Sequence, residues 1–128
     1  MSRLTELPLA KRVIDGYRIG YTLEYLFIED GPQYKLEIAG PMVFQEGETK
    51  IAMDPDDLAT MGPSMRLVGK TVEKTSVAER GALNITFSDE SSLNVEPSEK
   101  LTAWSFQSPD KRVFCKAGGG LATAFPVD

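Results

Sequence analysis

The chain has 128 residues, of which 41% are hydrophobic and 26% are charged, the size and composition of one globular domain. This composition excludes a collagen-like repeat and a long disordered tail, and we expect residues 1–128 to form a single domain. The 19 acidic and 14 basic residues give a net charge of −5; because the basic residues are scattered, a basic protein is favoured over nucleic acid as a partner.

The N-terminal segment carries Glu6 and Pro8 where a signal peptide needs an uninterrupted apolar run. The longest apolar stretch, residues 21–28, contains Glu24 and is much shorter than the roughly 20 residues that cross a bilayer. A single cysteine, Cys115, cannot form an internal disulfide, which is typical of a reducing compartment. We therefore expect a cytoplasmic protein with no membrane segment.

Alternating apolar side chains predict a β-hairpin in the first third of the chain. Residues 21–28 alternate with period two, turn residues follow at 29–32, and residues 34–39 alternate again. Two shorter strands are predicted over 42–45 and 49–51. The first part of the chain therefore predicts antiparallel strands.

One short helix is predicted over residues 54–68. Asp54 is a favourable N-cap, Pro55 suits the first helical position, and Asp56 and Asp57 complement the positive end of the helix dipole. A Gly-Pro pair interrupts this segment, so the helix is expected to be short.

The β pattern resumes after the helix and runs to the end of the chain. Six further strands bring the predicted total to about ten; they cover 71–78, 82–88, 93–95, 101–107, 112–116 and 120–125. Glycines at 118–120 predict a tight turn rather than a phosphate-binding loop, because the Gly-Lys-Ser/Thr ending of such loops is missing.

Residues 12–53 and 70–125 share an order of features, in which a hairpin of alternating apolar residues precedes a proline. A duplicated β-meander explains this likeness; the alternative is that any two hairpins share alternation. Either interpretation predicts a mainly β protein with antiparallel sheets and one short helix between the halves. The sheets are expected to form two packed layers or a partly closed barrel.

The chain contains no histidine, so it lacks the commonest general base and the usual imidazole metal ligand. With one cysteine, thiolate metal sites are also disfavoured. The segment that starts at Asp54 lacks the spacing of a calcium loop. These absences predict a protein that is not an enzyme and that needs no metal or cofactor.

Two side chains admit both a structural and a functional interpretation. Trp104, the largest apolar side chain, is expected in the core, and stacking on a ligand is the alternative. Cys115 is expected to be a small buried hydrophobe, since a reactive thiol would need exposure and a nearby cation such as Lys116.

Several motifs together resemble a known family. In chain order they are Leu36-Glu-Ile38, the helix start Asp54-Pro55, Leu67-Val-Gly69-Lys-Thr-Val72, Gly81-x-Leu83-x-Ile85-x-Phe87-Ser-Asp89, Leu93-x-Val95-x-Pro97, Ala103-Trp104 and Gly118-Gly-Gly-Leu121-Ala122. This pattern is similar to that of the small bacterial family catalogued as domain of unknown function 6188, over roughly residues 12–125. The family usually has Asp-Gly where this chain has Asp89-Glu90. The motifs lie mostly in turns and core positions.

The resemblance implies no biochemical activity, but a small, acidic, single-domain profile is similar to that of immunity proteins, which cover the active site or binding face of a toxin. We therefore expect a protein-binding module, in particular an immunity protein that neutralises a cognate, basic toxin. The residues expected to contact this partner are Asp54, Asp56, Asp57, Asp89 and Glu90, with Trp104 and Tyr34 as aromatic anchors.

Two alternatives remain open at this stage. A partly open barrel could hold an apolar ligand; its expected lining is Tyr21, Tyr25, Phe27, Phe87 and Trp104. A structural subunit that forms a homo-oligomer through its edge strands is the other alternative.

Overall fold

The computed structural model describes residues 7–27, 33–109 and 111–124. Within these residues, eleven strands form two antiparallel sheets. The strands are β1 (Gly16–Ile19), β2 (Leu23–Phe27), β3 (Tyr34–Ile38), β4 (Met42–Glu46), β5 (Thr49–Met53), β6 (Val72–Val77), β7 (Leu83–Phe87), β8 (Ser92–Val95), β9 (Trp104–Gln107), β10 (Arg112–Cys115) and β11 (Leu121–Ala124).

The two sheets pack as separate layers around one hydrophobic core. One sheet has six strands in the order β1-β2-β3-β9-β10-β11, and the other has five in the order β5-β4-β8-β7-β6. Inward side chains of both sheets, such as Leu36 and Phe106 in one and Phe44 and Ile85 in the other, belong to the same buried cluster. The prediction of a mainly β, antiparallel protein is confirmed, and of its two forms the structure adopts packed sheets without a closed barrel.

Alternation explains why these segments form strands. In β2 and β7 every second residue is buried and the residues between them are half-buried, as expected when one face of a strand covers a core. The predicted hairpin of 21–28 and 34–39 appears as β2 paired with β3, in which Tyr25 lies opposite Leu36. Strand β1 was not predicted, because it is an edge strand and its burial does not alternate.

The short helix predicted over 54–68 is helical only in part and is of the 3-10 type. This segment forms two short 3-10 helices, Leu58–Thr60 and Gly62–Leu67. The Asp54 side chain accepts a hydrogen bond from the Asp56 N–H at 3.0 Å, which closes a local turn instead of starting a helix. Asp57 caps the first 3-10 helix, and the Gly-Pro pair prevents the two short helices from joining.

The topology has the symmetry that a duplication would produce. Each of the strands β1–β5 can be matched with the strand five places later in the chain, β1 with β6 and so on to β5 with β10. Exchanging the members of each match converts the strand order β1-β2-β3-β9-β10 into β6-β7-β8-β4-β5, which is the order of the five-stranded sheet in reverse. The first half therefore contributes β1–β3 to the six-stranded sheet and β4–β5 to the other, and β6–β8 and β9–β10 of the second half do the opposite; β11 adds one more strand at the edge of the six-stranded sheet. The duplication of residues 12–53 and 70–125 stays a prediction.

Candidate functional site

A groove with an apolar floor lies on the outer face of the five-stranded sheet, where β5 and β8 end. Its first cavity has a volume of about 320 Å³ and is lined by apolar residues of neighbouring strands, including Val43 and Ala52. Val43 lies opposite Ala52 on one side and Asn94 on the other, so these three outward side chains form a continuous strip. Asp54 and Glu96 line the same cavity.

A second cavity adjoins the first. Its volume is about 480 Å³, and its lining residues come from the β6–β7 turn and from the chain that follows β8; they are Ala78, Glu79, Arg80, Ala82, Glu96, Pro97 and Glu99. Glu96 lines both cavities. We call the two adjoining cavities the end groove.

Each cavity of the end groove has an apolar floor, and the groove is acidic overall. Four carboxylates line it, and Arg80 is the cation among its lining residues. The Asn94 side-chain amide donates a hydrogen bond to Glu96 Oε1 at 3.3 Å, which orients this carboxylate at the junction of the cavities. The end groove can therefore bury an apolar group and pair with a positive charge at its end.

The opposite end of the same sheet carries an ion-pair cluster around Lys70. The Lys70 ammonium lies 3.6 Å from Glu46 Oε2 and pairs with Asp89, while its side chain is only 13% exposed. The hydrogen bond from Lys70, together with hydrogen bonds from Ser91, lowers the pKa of Asp89 to about 2. Asp89 is therefore engaged within the fold at neutral pH.

The five acidic residues expected to contact a partner do not form one surface. Asp54, Asp56 and Asp57 follow β5 at the end where Met42 pairs with Met53, whereas Asp89 and Glu90 lie in the β7–β8 turn beyond the pair of Gln45 and Ser92. Strand residues rise about 3.4 Å each, so the two groups lie at least roughly 10 Å apart along the sheet. The structure therefore splits the expected contact surface into two ends.

Each group has its own environment. Asp54 is half-buried and lines the end groove, and Asp56 and Asp57 are exposed beside it. Glu90 is exposed and has a φ of +73°, a left-handed conformation that glycine adopts more readily.

Of the two expected aromatic anchors, Trp104 is wrong as a surface residue, whereas the contact role of the half-buried Tyr34 stays a prediction. Trp104 is completely buried, and its indole N–H donates to the Gly81 carbonyl at 2.7 Å. Tyr34 is half-buried with its ring centroid 5.5 Å from that of Phe106, and the Arg12 guanidinium lies 4.2 Å from the Tyr34 ring centroid. Both rings contribute to packing because alternation directs them inward.

The expected lining of an internal ligand cavity is not found either. Tyr25, Phe27, Phe87 and Trp104 are each no more than 1% exposed and pack in the core, whereas Tyr21 is fully exposed. These five side chains therefore do not line one pocket. Cys115 is buried as expected, and burial raises the pKa of its thiol.

Within the described ranges, no three side chains of the metal-binding types lie together as a metal site would require. The same part of the chain has no helix of the length and hydropathy that crossing a membrane requires.

The comparison with protein families identifies one match. The model of a family described as "Family of unknown function (DUF6188)" matches residues 5–125. The chain belongs to this family. No curated protein and no solved structure matches the chain significantly.

The sequence did not single out Glu96 as a functional residue. The signal that was available is its position, because Glu96 follows β8 at the same parity as the outward-facing Asn94 and precedes a proline. Its proximity to Asp54 depends on the pairing of β4 with both β5 and β8, which no local pattern shows.

Proposed function

We propose that this protein is a non-enzymatic protein-binding module, and specifically an immunity protein that neutralises a cognate toxin in the cytoplasm by direct binding. The observation that carries this proposal is the end groove, an open surface whose apolar floor is bordered by carboxylates. Apolar floors supply most of the binding energy at protein interfaces, and charged borders select the partner.

The size of the molecule is compatible with this role. The total accessible surface is 7524 Å², and a stable complex covers about 800 Å² on each partner, which is roughly a tenth of that surface. The first cavity of the end groove is lined mainly by residues of paired strands, so little conformational freedom has to be lost there on binding. The negative charge would accelerate the capture of a basic toxin.

The test is capture of a partner by the tagged full-length chain from its own source cells, with bound proteins identified by mass spectrometry across a salt series. A stoichiometric, basic protein that is lost at high salt supports the proposal. Co-expression with that partner should then protect growth of a sensitive host. A folded chain that captures nothing, or a captured protein whose toxicity it does not reduce, would contradict the proposal.

Double variants with reversed charges locate the surface that binds the partner. The double variant D54K/D56K changes the carboxylates at the end groove and should weaken capture at least about tenfold, because it replaces attraction by repulsion at two positions. The matched variant E48K/E90K makes the same charge change in exposed turns at the other end of the sheet and should bind as the wild type does. Equal loss in both variants would indicate nonspecific attraction instead of a defined contact.

A further inference from the structure

We propose that the end groove binds a segment of a partner protein in the polyproline II conformation that carries two basic side chains three residues apart, one for each cavity. This inference rests on the proposed protein-binding function and adds the chemistry of the segment that is recognised.

The spacing follows from the sheet register. The first cavity is centred on β4, since Val43 lies between Ala52 and Asn94, and the second lies beside Ala82, which joins the β6–β7 turn to β7. In the sheet order, β8 alone separates β4 from β7. Two strand spacings of about 4.8 Å make about 10 Å. A polyproline II segment has three residues per turn and rises about 3.1 Å per residue, so it places residues i and i+3 on the same side about 9 Å apart.

The lining of each cavity suits a lysine or arginine side chain. Pro41, Val43 and Ala52 in the first cavity, and Ala78 and Ala82 in the second, offer apolar surface to an aliphatic stem. Long basic side chains bury such stems along apolar surface and keep the charged group at a polar boundary.

Carboxylates lie where the charged groups would end. The first cavity includes Asp54 and Glu96, and the second includes Glu96, Glu79 and Glu99 with the single cation Arg80. This balance favours a positive segment over a neutral or acidic one. A cation that entered either cavity would meet Glu96.

The experiment uses the isotope-labelled full-length chain and synthetic probes. The first probe is a capped eight-residue peptide of proline and alanine with lysines at its third and sixth positions, a composition that favours polyproline II and directs both lysines to one side. The second is the same peptide with glutamine at both positions, and the third is spermine. Amide shifts at Ala52, Ala82 and Asn94 report groove occupancy, and titration gives the affinity of each probe.

Three variants separate charge from shape. E96Q removes the shared carboxylate and should weaken the lysine peptide about three- to fivefold, as expected for partly exposed ion pairs. A52F fills the first cavity from an exposed strand position and should abolish the shifts at Asn94. E48Q removes an exposed carboxylate from the β4–β5 turn and should leave binding unchanged.

The proposal is overturned if the glutamine peptide binds as tightly as the lysine peptide, or if E96Q and A52F both bind like the wild type. Tighter binding of spermine with the same shifts would assign the groove to polyamines and overturn the peptide proposal. A captured toxin combined with silent peptides would reject this inference and leave the proposed function standing. Peptide binding without any captured partner would support the predicted specificity of the end groove and contradict the proposed immunity function.

Discussion

Gly81 connects the two sheets near the end groove. Its φ is +104°, and a Cβ built on it would lie 2.6 Å from Cys115 Sγ. The carbonyl of the same residue accepts the hydrogen bond from the Trp104 indole. We expect G81A to lower the free energy of unfolding by about 2–4 kcal/mol, because it combines a strained backbone with overpacking of the core. Urea denaturation followed by Trp104 fluorescence measures this loss.

A second glycine, Gly47, separates the effect of backbone strain from the effect of overpacking. Gly47 also has a positive φ, of +63°, but nothing lies within 4 Å of the position of its Cβ. G47A should therefore cost only the backbone component, about 1 kcal/mol. Truncation of the neighbour, in C115A/G81A, should recover part of the loss caused by G81A. If G47A and G81A were equally destabilising, contact with Cys115 would play no part.

Single residues were predictable where one alternating pattern decided their environment. Leu23, Phe87 and Cys115 are buried as their strands predicted. The role of Asp89 was not predictable, because its partner Lys70 lies 19 residues away and is brought close only by the folded turns. From its residue type alone, Trp104 could fill the core or stack on a ligand. The structure places it among the buried residues of β9, which assigns it to the core.

The segment between β5 and β6 is held to the six-stranded sheet by one buried hydrogen bond. The Tyr25 hydroxyl donates to the Ser64 carbonyl at 2.8 Å, and Ser64 belongs to the second 3-10 helix. Y25F should lower the free energy of unfolding at pH 7 by about 1–2 kcal/mol, because this buried carbonyl loses its donor. The measurement is urea denaturation of both proteins.

The difference in stability between the wild type and Y25F is expected to depend on pH. Burial raises the pKa of the Tyr25 phenol, with a smaller contribution from Tyr17, so its contribution to stability is complete below the unfolded pKa of about 10 and declines above it. The wild type should therefore lose up to about 1.4 kcal/mol per pH unit above pH 10 from this group, and Y25F should not. The difference between the two proteins should shrink at pH 11; a constant difference would contradict the burial of the phenol.

Strands and helices were predictable when the signals that determine them lie within one short stretch of sequence. The β2–β3 hairpin was evident because alternation and a turn lie within one short stretch. The 54–68 segment was misjudged because helix-start signals also fit an Asp-based turn, such as the one that Asp54 closes with Asp56. The end groove was missed because it joins residues of β4, β5 and β8, whose order along the sheet differs from their order in the chain.

Both halves of the chain are needed for either sheet. The central pairs of the two sheets, β3 with β9 and β4 with β8, each join one strand from the first half to one from the second. Trp104 itself lies opposite Ile38 in such a pair. We expect fragments 1–61 and 62–128 to be unfolded when separate and to combine when mixed, because separation removes a central neighbour from both sheets.

Fluorescence of Trp104 tests this expectation. The fragment 62–128 alone should emit as an exposed indole, and addition of fragment 1–61 should shift the emission to shorter wavelength in a concentration-dependent way, since association replaces the covalent link. Fragment 1–61 with I38E places a charge in the core opposite Trp104 and should fail to complement. A 62–128 fragment that unfolds cooperatively by itself would show that β6–β11 are autonomous and that the strand exchange adds no stability to the second half.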